Sequence, residues 1–295
     1  MKVGIVDVGS NTIRLLVAIR EGAELVAVAE EREYLFLGED VEREGRLSAA
    51  RIGQVARCVG AYTRNARGLG AHAVEVIVTA PGRQSANGGE LVRALADATA
   101  APVRVLTPDE EGRLAFTGAV AAAGRLRGSV AVCDAGGGSA EVAVGSSVGG
   151  PAWLRSLDVG AVRLTERFLS DDPPGKAALG AARTEVERHL EGFAPPLPQA
   201  ALAAGGTARA VRKLVGGELG HEELEVAVRI LRKRPSANVA KTFGLHEHRA
   251  RTLAAGVVIL ACLQARLSVP FRVSRAGLRE GAALALLGEL PAAAA

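Results

Sequence analysis

The chain has 295 residues, of which 48% are hydrophobic and 3% aromatic, and its formal charge is +4. This length accommodates two compact domains or one large one, with cores built from Val, Leu, Ile and Ala. The composition excludes a mainly disordered chain, and we expect no nucleic-acid partner. Most of the cations are Arg, which suits a polyanionic ligand, although a chain rich in Ala, Gly and Arg often reflects codon bias alone.

The chain shows no sign of a membrane or disulfide framework. Its first apolar run ends at Asp7, which is too early for a signal peptide, and the longest apolar stretch, 253–263, is about half of what a bilayer requires. Cys58, Cys133 and Cys262 lie among apolar neighbours without metal-binding spacing. We therefore expect a soluble, cytoplasmic protein with no membrane partner and reduced cysteines.

The N-terminal third predicts alternating strands and helices. The segments VGIVDVG, TIRLLVAI and 24–29 predict a three-stranded meander, followed by a helix over 48–68, a strand at VEVIVTA, a helix over 84–98 and a strand at PVRVL. A further helix begins after Thr107, because Pro108 suits its first position and Glu110 completes a capping box.

The pattern then restarts. SVAVCDAGGGSAEVAVG reads as strand, Gly-rich turn and strand, as the N-terminus does, and WLRSLDVGA predicts a third strand. The later predicted elements are a strand and helix around Gly205, helices over 221–231, 236–242 and 247–267, a short strand near Phe271 and a last helix over 278–287. The repeat predicts two duplicated α/β domains, 1–118 and 119–276, with a cleft between them, and 277–295 could pack back on the first.

Three Gly-rich turns follow predicted strands: Asp7 to Asn11, Asp134 to Ser139, and Gly205 to Thr207. Glycines let a backbone approach a ligand closely, and the N–H groups of such turns bind anions. Ser10, Ser139 and Thr207 would add hydroxyl donors, while the carboxylates of Asp7 and Asp134 would hold Mg²⁺ against phosphates. A single turn of this kind is usually an ordinary hairpin, but three are unlikely to coincide. Neither a dinucleotide fingerprint nor a P-loop is present.

Seven segments, in this order, resemble the exopolyphosphatase/guanosine pentaphosphate phosphohydrolase family: DVGSNTIRLL, TAPGR, TPDEEGRLAF, DAGGGSAE, SLDVGAVRLTE, AAGGTAR and GLREG. That family belongs to the superfamily of actin, sugar kinases and heat-shock ATPases. The resemblance implies two actin-like (ribonuclease H-like) α/β domains, with the active site in the interdomain cleft. It also implies hydrolysis of terminal phosphoanhydrides and a Mg²⁺ cofactor.

The matching motif positions carry implied roles. Glu111 falls on the proposed catalytic base and Glu141 on a residue that positions the attacking water. Asp134, with Asp7, would be at the metal. The remaining implied phosphate-binding residues are Asn11, Arg14, Arg83, Gly136, Gly137, Gly138, Ser139, Gly205, Gly206 and Thr207. A simpler interpretation is that Glu110 and Glu111 only begin a helix and that Glu141 is an exposed strand residue. For Glu110 we prefer this structural interpretation.

The chain also departs from the family pattern. Ala140 stands where the family usually has Thr, and Phe36 where many members have Arg; we expect hydrolysis to survive the first change and the second to alter local phosphate contacts. Long members of the family carry a C-terminal His-Asp extension, whereas we expect this protein to be a short, two-domain form. A track for a long polyanion could be formed by Arg209, Arg212, Lys213, Arg229, Arg232, Lys233 and Arg234, though such charge runs are usually solvated. His246 and His248 are poor metal ligands at this spacing.

Three functions stay open. The first is a hydrolase acting on inorganic polyphosphate, guanosine pentaphosphate or both. The second is a kinase or ATPase of the superfamily, with an adenosine pocket around Gly205 and Gly206. The third is an alarmone- or nucleotide-binding regulator with little turnover, which Ala140 and Phe36 would permit. A homodimer is plausible in each case.

Overall fold

The computed structural model describes residues 1–22, 24–124 and 126–289, and its described strands form two five-stranded sheets. The first half of the chain contains β1 (Lys2–Val8), β2 (Thr12–Glu21), β3 (Glu24–Tyr34), α1 (Leu37–Glu44), α2 (Ala49–Gly68), β4 (Ala73–Val78), α3 (Ala80–Gln84), α4 (Gly88–Ala98), β5 (Val103–Val105) and α5 (Pro108–Ala123). The second half contains β6 (Ser129–Ala135), β7 (Ala140–Ser146), β8 (Gly150–Leu157), α6 (Ala161–Phe168), α7 (Lys176–His189), β9 (Ala200–Ala204), α8 (Gly205–Val215), α9 (His221–Leu231), α10 (Ser236–Phe243), α11 (Glu247–Arg251), α12 (Leu253–Leu267), β10 (Phe271–Val273) and α13 (Leu278–Glu289).

The two sheets have the same topology. The first has the order β3-β2-β1-β4-β5, and the second, read from its opposite edge, is β8-β7-β6-β9-β10. In each sheet an antiparallel meander of three strands is extended by two parallel strands. The predicted internal repeat and the two-domain α/β fold class are confirmed.

The central strands of both sheets are apolar because helices cover both of their faces. In β1 the residues from Val3 to Val8 are all buried. One face of the first sheet packs on α2 and α4, and the other meets Ala282 and Ala283 of α13. The long helix α12, which is apolar from Leu253 to Leu263, lies in the core of the second half. Within the described ranges, no helix is long and apolar enough to cross a membrane.

The helices α5 and α13 cross at very short distance. A Cβ atom on Gly118 would lie 2.0 Å from the carbonyl oxygen of Gly277, and one on Gly281 would lie 1.9 Å from that of Leu114. Both helices therefore need glycine at the crossing. Because α5 packs on β6, β7 and β8 while α13 packs on β1 and β2, the two helices connect the halves of the molecule. The boundary at 118 falls within α5 and stays a prediction, and residues 290–295 lie outside the described part of the chain.

Three predicted elements differ from the structure, which also contains a helix that was not predicted. The third strand extends to Tyr34 because it pairs with β2 along its whole length, and the unpredicted α1 follows it. The helix expected over 84–98 begins only at Gly88, and Asn87 just before it bonds both backbone groups of Leu47 through its side chain. The helix over 247–267 is interrupted at Thr252, whose hydroxyl donates to the His248 carbonyl.

Candidate active site

A cavity of about 110 Å³ lies between the two halves, where the loops after β1 and β6 face each other. The starts of α5 and α8 complete its wall. Its lining residues are Asp7, Gly9, Ser10, Asn11, Thr12, Arg14, Thr79, Ala80, Glu111, Asp134, Ala135, Gly136, Gly137, Gly138, Ser139, Glu141, Gly205, Gly206, Thr207, Arg249 and Leu278. We call this space the site cavity. It contains every candidate site residue predicted from the sequence except Arg83.

The first loop contributes one buried carboxylate and one buried cation. The Arg14 Nε atom lies 3.7 Å from an Asp7 carboxylate oxygen. Burial raises the pKa of Asp7, against the lowering influence of Arg14, and burial also lowers the pKa of Arg14 to about 9. The Nε atom of Arg14 and the Nδ2 atom of Asn11 have no hydrogen-bond partner among the described residues. Two buried donors are thus available to an anionic ligand.

The second loop is built from glycines because it touches the first. A Cβ atom on Gly137 would lie 3.0 Å from Cβ of Ser10, and one on Gly138 would lie 2.7 Å from Oγ of Ser10. The start of α6 supports the loop from behind, where the N–H of Ala161 donates to the Gly136 carbonyl at 2.9 Å. The close approach of the loops leaves room for a small ligand rather than for side chains.

The third Gly-rich segment forms the first turn of α8. Gly205 has a φ of +81°, and a Cβ atom there would lie 2.2 Å from Asp134 Oδ1. Asp134 is therefore packed directly on this backbone, and burial raises its pKa. The Thr207 hydroxyl donates to the Ala135 carbonyl at 2.7 Å, which fixes the segment to β6. The Thr207 hydroxyl, which was predicted to donate to a phosphate, therefore donates to the protein backbone instead.

Two further carboxylates face the site cavity from α5 and β7. Burial raises the pKa of Glu111 to about 7, although Arg83 opposes this shift. Glu141 is fully buried, and both burial and the nearby Glu111 carboxylate raise its pKa well above the usual range. Ser156 Oγ donates to Glu141 Oε1 at 2.9 Å. Glu141 is thus not the exposed strand residue of the simpler interpretation.

Arg83 lies beside the cavity and supports Glu111. Its Nη1 atom donates to the Leu106 carbonyl at 2.5 Å and also to the Glu111 carboxylate. Glu110 instead completes the predicted capping box, with its carboxylate accepting from the Thr107 N–H at 2.7 Å. Two neighbouring glutamates are therefore used differently, one in the cavity and one at the helix end.

Two cations at or beside the site were given no role from the sequence. Arg249 reaches the cavity from α11, and its guanidinium would lie 3.0 Å from a Cβ atom on Gly206. Arg279, only 3% exposed, donates to the Leu15 carbonyl at 3.2 Å and to Glu30 at 2.7 Å. The GLREG motif pointed to Arg279 without a role for it. No sequence pattern around Arg249 indicated a role at the site, because only the tertiary fold brings α11 to the cleft.

The two departures from the family pattern lie outside the cavity. Ala140 is fully buried in an apolar cluster of β7, where a hydroxyl would need a partner. Phe36 stacks on His248, with ring centroids 3.8 Å apart. Of the predicted basic track, Arg209 lies near Asp134, whereas the cluster from Arg229 to Arg234 is exposed at the end of α9.

The residues present fit a hard divalent cation that is held by only a few protein ligands. Asp7 and Asp134 occupy equivalent positions near the ends of β1 and β6, and both are desolvated. In the described part of the chain, no three His, Cys, Asp or Glu side chains converge as a metal site. Mg²⁺ commonly uses only one or two carboxylates together with waters and substrate phosphates. Asp7 and Asp134 would be those carboxylates.

The paired sheets and the cleft with its three Gly-rich segments define a two-domain protein of the actin-like class. The chain belongs to the Ppx/GppA phosphatase family, whose model matches residues 15–290. The family resemblance drawn from the sequence motifs is confirmed.

Similar proteins cover most of the chain. An uncharacterized protein of Streptomyces coelicolor is 31% identical over 276 residues, which are 88% of this chain and 82% of that protein. Exopolyphosphatase 1 of Mycobacterium leprae is 25% identical over 286 residues, or 91% and 84%. The crystal structure of the Aquifex aeolicus family member superposes with a TM-score of 0.82 at 26% identity, covering 99% of both chains.

Proposed function

We propose that this protein is a Mg²⁺-dependent phosphoanhydride hydrolase that releases terminal phosphate from inorganic polyphosphate. The observation that carries the proposal is the site cavity itself. Its lining combines the carboxylates of Glu111 and Glu141 with the Gly-rich loops and with Arg14, whose Nε atom has no hydrogen-bond partner among the described residues. A base for water and donors for a phosphoryl group are the requirements of this reaction.

In this mechanism Glu111 accepts a proton from the attacking water. Its pKa of about 7 lets it act near neutral pH, and its bond to Arg83 holds the carboxylate in place. Glu141, oriented by Ser156, positions the same water. The backbone N–H groups of the loop from Gly136 to Ser139 and the Arg14 guanidinium stabilise charge on the transferred phosphoryl group. Bound Mg²⁺ would neutralise phosphate oxygens, with Asp7 and Asp134 as its protein ligands.

The second reaction proposed for the same site is the conversion of guanosine pentaphosphate to the tetraphosphate. The other two functions, a kinase or ATPase and a nucleotide-binding regulator with little turnover, require space for a base, as guanosine pentaphosphate does. Next to Gly206, where the adenosine pocket was expected, lies the Arg249 guanidinium. This contact favours a phosphate chain over a nucleoside at that position.

The proposal is tested by measuring phosphate release from polyphosphate, guanosine pentaphosphate and ATP, with and without Mg²⁺. We expect Mg²⁺-dependent release, fastest from polyphosphate. Tight binding of guanosine nucleotides without release would support the regulator instead, and transfer from ATP to an added acceptor would support a kinase. Size-exclusion chromatography of the same preparation tests the proposed homodimer.

The pH dependence of kcat/KM gives a second prediction. Because the base must be ionised, activity is expected to fall as the pH drops below about 7. Arg83 lowers the pKa of Glu111, so Arg83→Gln should move this acidic limb to higher pH. The matched control is Arg104→Gln, which removes an equal charge from the pair with the surface residue Glu110. A shift to lower pH in Arg83→Gln, or equal shifts in both variants, would contradict the assignment of Glu111.

A further inference from the structure

A second cavity, of about 280 Å³, adjoins the site cavity and is strongly basic. We call it the basic chamber. Five cations line it, namely Arg14, Arg32, Arg209, Lys213 and Arg249, and none of the described residues that line it is acidic. Such a cavity favours a ligand that carries several negative charges.

The basic chamber continues the site cavity. Thr12, Arg14, Gly206 and Arg249 line both spaces. The site cavity is the smaller of the two, at about 110 Å³, and it contains Glu111. A substrate whose terminal phosphoryl group lies beside Glu111 can therefore extend through this shared boundary into the chamber.

One wall of the chamber is formed by a row of side chains across the first sheet. Asp7 of β1 lies opposite Arg14 of β2, and Arg14 lies opposite Arg32 of the edge strand β3. Neighbouring strands are about 4.8 Å apart, so the row leads from the site cavity to the edge of the sheet over about 10 Å. Two arginines directly opposite each other repel, and this pairing is unfavourable until an anion lies beside both.

The other wall is one face of α8. Gly206, Arg209 and Lys213 follow one another at spacings of three and four residues, which places them on the same side of the helix. Gly206 also lines the site cavity, and Lys213 lies about 10 Å further along the helix axis. Both walls thus begin at the site cavity, extend outward over a similar distance and carry two cations each.

Backbone carbonyl groups hold the two cations of α8 in place. Arg209 Nη1 donates to the Arg275 carbonyl at 3.1 Å, and Lys213 Nζ donates to the Gly244 carbonyl at 2.8 Å. A carbonyl group orients a cation without neutralising its charge. Because Arg and Lys each have further N–H donors, both side chains can still bind an anionic ligand.

Two glutamates near these walls are bonded to a different residue. Glu30 and Glu280 accept hydrogen bonds from Arg279 at 2.7 Å and 3.2 Å. Burial lowers the pKa of Arg249, and the Arg32 guanidinium lowers it further. Bound phosphates would relieve the repulsion among the cations of the chamber.

The outer end of the chamber is open to solvent. Arg32, Lys213 and Gly244 line the chamber and are exposed. The Arg14 side chain at the inner end is only 13% exposed. Arg32 belongs to the first half of the molecule and Lys213 to the second, so the opening has a cation from each half. A phosphate chain longer than the chamber can therefore continue past these two residues into solvent.

We propose that Arg32 and Lys213 form an outer binding site for the phosphate chain, so that the protein selects long-chain polyphosphate over short polyphosphates. The proposal rests on the proposed polyphosphatase function and names its substrate class. The terminal phosphoryl group lies in the site cavity, the following phosphates lie between the two basic walls, and the chain leaves beside Arg32 and Lys213. A chain too short to reach the opening lacks these contacts and binds more weakly.

The test compares the KM values for tripolyphosphate and long-chain polyphosphate. The double variant Arg32→Gln/Lys213→Gln should raise the KM for long-chain polyphosphate by about tenfold, which corresponds to the loss of two solvent-accessible charge contacts. The KM for tripolyphosphate should rise by a smaller factor, so the preference for the long chain should fall. If the double variant does not fold, each single variant should give the same trend, with a rise of about threefold.

The matched control is the double variant Arg20→Gln/Lys176→Gln. Arg20 and Lys176 are exposed, and neither lines the basic chamber. The control therefore removes the same charge from the protein outside the chamber. We expect it to keep the wild-type ratio of the two KM values, because general attraction of a polyanion does not depend on these positions.

Three results would overturn the proposal. The first is an equal rise in the KM for both polyphosphates in Arg32→Gln/Lys213→Gln. The second is an equal change of the KM ratio in the control variant, which would mean that only the overall charge matters. The third is a higher KM for guanosine pentaphosphate with an unchanged KM for long-chain polyphosphate, because the two cations would then bind a nucleotide.

Failure of the proposed function has a different signature. If the wild-type protein releases phosphate from neither polyphosphate, that function fails, and the outer site is then tested by calorimetric binding of long-chain polyphosphate. Weaker binding by Arg32→Gln/Lys213→Gln than by the wild type and the control variant would support the outer site. Equal binding by all three proteins would overturn it.

Discussion

Replacement of Glu111 by glutamine is expected to lower kcat for phosphate release by about 10²–10⁴-fold, the usual contribution of a general base. Glutamine has nearly the same shape and can still accept a hydrogen bond from Arg83, but it cannot take a proton from water. Glu111 is 6% exposed, so solvent water gives no easy substitute for the lost base. The KM for polyphosphate should change little, because Glu111 acts on the water rather than on the phosphate chain.

The matched control is Glu110→Gln, one residue earlier in the same helix. Glu110 closes the capping box of α5, and glutamine serves equally well at that position. Phosphate-release assays on both variants, with circular dichroism to verify folding, should therefore show a loss in the first variant alone. A Glu111→Gln protein that keeps wild-type kcat would remove Glu111 from the mechanism.

Replacement of Gly118 by alanine should lower the free energy of unfolding by about 1–3 kcal/mol or more, because the added methyl group overlaps backbone atoms. The methyl group would lie 2.0 Å from the Gly277 carbonyl oxygen and 2.7 Å from the Gly281 nitrogen, and neither atom belongs to a movable side chain. The crossing of α5 and α13 must open. Since α5 also carries Glu111, a displacement of about 1 Å at the base would cost about 10²-fold in rate.

Gly180→Ala is the control for this substitution. Gly180 lies on the exposed surface of α7, and a Cβ atom there would have no neighbour within 4 Å. Alanine should stabilise that helix by about 0.5–1 kcal/mol. Denaturant unfolding of the two variants should thus give changes of opposite sign. A Gly118→Ala protein as stable as the wild type would mean that the two helices can separate freely.

The two similar sheets could be predicted because short sequence patterns indicate each of their strands and turns. Apolar strands, Gly-rich turns and a capping box each determine the conformation of a few adjacent residues, and their order fixed the two-domain topology. Asp7 and Asp134, which these turns pointed to, both line the site cavity, since equivalent strand ends meet at the cleft. The roles assigned to these residues stay predictions.

The contacts that depend on distant segments could not be read from the chain. Phe36 takes a left-handed conformation because Asn11 and His248 lie beside it, and the sequence near Phe36 contains no signal for either. Arg249 was overlooked for the same reason. Arg83 was expected at the phosphates, but the fold places Leu106 and Glu111 around its guanidinium.

The position of α13 has a consequence for biosynthesis. This helix supplies Ala282 and Ala283 to the face of the first sheet formed by Val3, Ile5 and Leu16. During translation that sheet leaves the ribosome first, but its apolar face stays uncovered until almost the whole chain has emerged. The opposite face is covered much sooner, because its cluster uses residues only up to Val105. We therefore expect the nascent first sheet to expose one apolar face for most of translation.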